Sequence, residues 1–126
     1  MFLADQSALL VSDIQALVGL VRGDAGIQQI SNAIGSINAV VMKIISETEA
    51  TGFGELIVRL DDCRERLLEA SQRGQDMASS GMATSDRDWR MWSQTLPPIA
   101  FEINREAKEL AQRVDKLAPG AADDFS

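Results

Sequence analysis

Apolar residues recur at steps of three and four along most of this chain. Leu3, Leu10, Ile14, Leu17 and Val21 form one series, widened by Leu9, Val11, Val18 and Leu20. Ile30, Ile34, Ile37, Val41, Ile45 and Thr48 form a second, flanked by Ile27, Val40 and Ile44. Phe53, Leu56, Leu60, Leu67, Ser71 and Gly74 form a third, with Cys63 at its edge. Ile99, Ile103, Leu110, Val114 and Leu117 form the last, with Ala107 between. Such spacing returns side chains to one face of an α-helix and conflicts with the alternation of a strand. The second series is rich in Ile and Val, which favour strands, but its sustained helical period overrules that propensity.

Punctuating residues set the boundaries. The first helix is expected over about 4–22, stopped by Gly23. Asp24 can cap the second, about 25–50, which ends at Thr51-Gly52. The third covers about 54–78, and the small-residue stretch 79–85 is a flexible joint. Ser85 is a good N-cap, and Asp86 and Asp88 lie where the helix dipole favours acids, so a short helix should run over 86–95. Pro97 and Pro98 lack an N–H and would clash with the carbonyls of Ser93 and Gln94, so the fourth helix is kinked or split there. Its remainder spans about 97–117, with both prolines in the tolerant first turn and Arg113 and Lys116 near its C-terminus. Pro119 and Gly120 should stop it, leaving 119–126 as a frayed tail. Four long amphipathic helices with short connections predict one all-α domain over 1–126, an antiparallel four-helix bundle.

Composition narrows the chemistry. A net charge of −7 argues against nucleic acid and anionic membranes as partners of the whole surface. The chain has no His, which removes the commonest general base and metal ligand. Cys63 is alone, so no disulfide framework and no cysteine zinc site is expected, and a reducing compartment suits it. There is no Gly-rich phosphate loop. The expectation is therefore no enzyme, no catalytic residue, no cofactor and no metal. No apolar run is long enough to insert in a membrane, and Met1 to Gln6 does not read as a signal peptide.

One stretch carries a family likeness. DWRMWSQTLPPIAFEINREAKELAQRVDKL, with LDDCRERLLEASQRG upstream, resembles the C-terminal domain of the fungal polarisome scaffold family. That domain is similar to the paxillin-binding C-terminal domain of animal Arf-GAP adaptors and to the focal adhesion targeting domain. The likeness covers roughly 9–117 and is sharpest over 61–74 and 89–117. It implies a focal-adhesion-targeting-like bundle without enzymatic activity, part of a cytoplasmic cell-polarity scaffold. It further implies recruitment of actin-cytoskeleton and signalling partners at cortical sites of polarised growth, a bud or hyphal tip. The related animal domains bind leucine- and aspartate-rich helices between their own helices.

The residues suggest where such a partner would sit. On the last helix the apolar seam occupies one side, and Arg105, Lys108, Gln112 and Lys116 lie nearly opposite, with Glu102, Glu106 and Glu109 between. Phe101 falls on the basic side. An exposed aromatic beside basic residues would suit an acidic amphipathic helix. The competing reading folds Trp89 and Trp92 over Phe101 and makes it core. On the third helix, Arg59, Arg66 and Arg73 recur every seven residues. Arg59 and Arg66 are further candidates for partner contact, against the plainer reading of a solvated, salt-bridged face. Trp89 and Trp92 are either binding anchors or bundle caps, and Cys63 reads as a small buried hydrophobe. The broad apolar arc of the first helix means either deep burial or a partner on Leu9 and Leu20. A homodimer, with the chain acting as the self-association module of a larger scaffold, is the alternative function.

Overall fold

In the computed structural model, the backbone is described for residues 2–23, 25–79 and 86–125. Side chains at 2–4, 51, 86, 115 and 117–125 lie outside the described set. The chain is all-helical, with no strand among the described residues. α1 spans Phe2–Arg22, α2 Ile27–Thr48, α3 Gly54–Ser79, α4 Asp86–Ser93 and α5 Leu96–Phe125, and a short 3-10 turn covers Glu49–Thr51. α1 packs on α2 and α5, and α3 packs on the same two helices, so the four long helices close a ring around one core.

The predicted seams meet inside that ring. Leu10, Ile14, Leu17 and Val21 of α1 are buried against Ile30, Ile34, Ile37, Val41 and Ile45 of α2 and Leu56, Leu60 and Leu67 of α3. Ile103, Ala107 and Leu110 supply the α5 side. Burial of an aliphatic side chain of this size stabilises by about 1.5–3 kcal/mol. Thr48, fully inside, keeps its hydroxyl satisfied by donating to the Ile44 carbonyl at 2.7 Å. Cys63 is buried as a hydrophobe. Burial pushes its thiol pKa up, and the charge of Glu102 adds to that.

Several boundaries differ from expectation. α2 starts at Ile27, later than predicted, because Gly26 is extended (φ −73°, ψ 167°) and its carbonyl accepts the first helical bond from Ile30. The proposed caps Asp24 and Ser85, and residues 80–85 of the joint, lie outside the described residues. Gly52 closes the 3-10 turn in the left-handed region at φ 86°, where a Cβ would be strained. α5 continues past Pro119-Gly120 to Phe125, in place of the frayed tail expected over 119–126. An established helix propagates more easily than it nucleates, which lets it pass a proline and the glycine after it.

α4 ends at Ser93, Gln94 and Thr95 form a turn, and α5 begins at Leu96 with both prolines in its first turn. The last carbonyls of α4 are satisfied at the turn. Trp92 O accepts from Thr95 N at 3.0 Å and Thr95 Oγ1 at 2.6 Å, and Arg90 O accepts from Gln94 N and Ser93 Oγ. Below that turn, Trp92 is buried and its Nε1–H donates to the Ala70 carbonyl of α3 at 2.8 Å. Its ring lies on Gly74, where an added Cβ would overlap it. Trp89 leans on Trp92, with ring centroids 4.8 Å apart.

Candidate functional site

The outer face of α5 is built by its own periodicity. Ile103, Ala107 and Leu110 fix the inner side, and Phe101 lies two residues from Ile103, about 200° around the helix. Phe101 is therefore 54% exposed, an unusual state for a large aromatic. The tryptophans do not cover it: Trp92 is committed to Ala70 and Gly74, and Trp89 to Trp92. The reading that made Phe101 core is thus corrected, because α4 turns onto α3 and away from the outer face of α5.

Two hollows adjoin this face. One, of about 330 Å3, is lined by Pro98, Phe101, Glu102 and Arg105. The other, of about 250 Å3, lies between α1 and α5 and is lined by Ser7, Ala8, Leu10, Val11, Asn104 and Lys108. Its floor is largely apolar, and Val11 is 39% exposed there. Arg105, Lys108, Gln112 and Lys116 are all exposed, as the helical projection placed them. Arg105 lines the first hollow and Lys108 the second, whereas Gln112 and Lys116 continue the polar stripe beyond them.

Arg59 and Arg66 are placed differently. Both reach from α3 to acids on α5. Arg66 Nη2 donates to Glu102 Oε1 at 3.0 Å and to Cys63 Sγ at 3.1 Å. That bond holds the Glu102 carboxyl below its ordinary range and raises the Arg66 pKa further. Arg59 Nη1 lies 4.0 Å from Glu106 and 3.9 Å from Glu109. The α3–α5 seam is laced by charge, and its arginines face acids of their own chain. The α1–α5 seam presents an apolar floor beside Lys108.

The wheel already contained Phe101, Arg105 and Lys108, but not Ser7, Ala8, Val11 or Asn104. Those four become a wall only once α1 and α5 pack together. Val11 had a faint signal in the broad apolar arc of α1. Leu9 of the same arc is 50% exposed and Leu20 is half-buried. A further hollow of about 560 Å3 lies where the end of α3 meets α4, lined by Arg73, Asp76, Met77, Met91, Trp92 and Thr95. The sequence had singled out Trp92 and Arg73 of this lining, but not Asp76, Met77 or Met91. Among the described residues, no cluster of His, Cys, Asp and Glu could hold a metal ion, and no helix is long and apolar enough to cross a membrane. Comparison with family models, with curated proteins and with solved structures finds no match to this chain.

Proposed function

We propose that this chain is a non-enzymatic protein-interaction domain that captures an acidic amphipathic helix on the outer α5 face and the adjoining α1–α5 groove. The observation that carries the reading is Phe101, a large aromatic left 54% exposed on the same side of α5 as Arg105 and Lys108, while Ile103, Ala107 and Leu110 of the seam are buried. It supplies an apolar anchor, Val11 and Ala8 supply floor, and the two cations meet carboxylates on the incoming helix. The chain's overall charge of −7 makes this local basic face the part of the surface suited to an acidic ligand.

The short connections at 23–26 and 49–53 support an antiparallel up-and-down arrangement, with the fourth helix split at Pro97-Pro98. Such a bundle is the frame that the resemblance to the polarisome scaffold family and to focal-adhesion-targeting domains implies. In that reading the domain belongs to a cytoplasmic fungal cell-polarity scaffold and recruits cytoskeletal or signalling partners to cortical growth sites. The test is an unbiased pull-down with the domain, repeated with Phe101→Ala and Lys108→Glu. Partners retained by the parent and lost from both variants, at unchanged helix content, support it. Identical captures from all three contradict it.

Homodimerisation is the second reading, favoured by Leu9, half exposed on α1. Light scattering over a wide concentration range separates the two, because a concentration-independent monomer removes the dimer.

A further inference from the structure

The charge network beneath the proposed face divides its arginines into two roles. Arg105 touches two acids, Glu102 at 3.9 Å and Glu106 at 3.8 Å, and its side chain is 73% exposed. Each of those acids has a second arginine from α3. Arg66 holds Glu102 at 3.0 Å by a hydrogen bond, and Arg59 stands 4.0 Å from Glu106. Glu106 is otherwise buried, and its Oε2 has no hydrogen-bond donor among the described residues. A buried carboxylate that lost its only cation would be costly. Here Glu102 keeps a hydrogen-bonded cation without Arg105, and Glu106 keeps Arg59 at 4.0 Å, slightly farther than Arg105 at 3.8 Å.

We infer that Arg105 is the releasable cation of this face. Arg66 holds Glu102 by a hydrogen bond and Arg59 stays within 4.0 Å of Glu106, so Arg105 can swing to a ligand carboxylate with an α3 arginine left beside each acid. The inference rests on the proposed function and refines it. Arg66 and Arg59 become positioning residues that never touch the ligand, and Arg105 becomes the residue that reads its charge. Removing Arg66 should then weaken binding from a distance, because Glu102 would retain Arg105.

The first measurement needs no ligand. Relaxation of the arginine Nε–Hε groups in the free protein should show Arg66 ordered and Arg105 mobile, and Arg66→Gln should order Arg105. Equal order of the two in the parent, or an Arg105 unchanged by Arg66→Gln, overturns the inference whatever the domain binds. The second measurement titrates a synthetic amphipathic helix with leucines at i, i+3 and i+7 and aspartates beside them. Arg105→Gln should weaken its binding by roughly fivefold, and Arg66→Gln by about twofold to fivefold. Arg66→Gln combined with Glu102→Gln should restore parental affinity. Parental binding with no effect of Arg66→Gln, or no rescue by the double variant, sinks the releasable-cation idea alone. Absence of binding to the parent sinks the proposed function and leaves the relaxation result to decide the network.

Discussion

The Trp92 ring packs directly on the backbone of Gly74. The indole is buried, donates to the Ala70 carbonyl and occupies the volume a Cβ at 74 would need. Gly74→Ala, which ordinarily favours a helix, should here destabilise by about 1–3 kcal/mol through overpacking. Urea unfolding followed by tryptophan fluorescence measures the loss, and unchanged stability would mean the ring does not sit there. Phe101→Ala is its opposite. Loss of a half-exposed aromatic should change stability by about 0.5 kcal/mol or less, against about 3–5 kcal/mol for a core position. Both residues are aromatics in the same proline-marked stretch, and composition could not tell them apart. Periodicity placed Phe101 off the seam. The fate of Trp92 depended on a niche that exists only when Ala70 and Gly74 of another helix face it.

At the scale of elements, the α3–α5 seam carries the pH dependence. Glu102 is held below its ordinary value of 4.5, chiefly by the Arg66 hydrogen bond. A depressed carboxylate contributes stability above its unfolded pKa and loses it as pH falls through the lower folded value. Asp13 on α1 runs the other way, since burial raises its pKa and disfavours the charged form in the fold. Its cost is present at neutral pH and fades as pH falls. Glu102→Gln should therefore flatten the acid limb of thermal stability below about pH 4.5. Asp13→Asn should raise the melting temperature slightly at pH 7 and have little effect in acid. Melting curves at several pH values check both signs. The helices themselves were legible because their apolar residues keep step with 3.6 residues per turn. Their junctions were less so: Gly26 extended the chain beyond the expected start of α2, and the helix after Lys116 ran through a proline and a glycine expected to stop it.

At the scale of the whole molecule, the four long helices bury most of their described seam residues and leave Phe101, Arg105 and Lys108 exposed on one side of α5 in a net acidic chain. The α5 half of that face could be read from the wheel, because one helix specifies it. The α1 half could not, because Ser7, Ala8 and Val11 join Asn104 and Lys108 only through packing. The central claim is that this composite face binds an acidic helix. Its most direct test is to titrate the isotopically labelled domain with such a peptide and follow backbone amide shifts. The account predicts saturable shifts clustered at Val11, Phe101, Asn104, Arg105 and Lys108, with affinity reduced roughly tenfold or more in Phe101→Ala. Shifts confined to the Met77–Met91 hollow, or none at all, would contradict it.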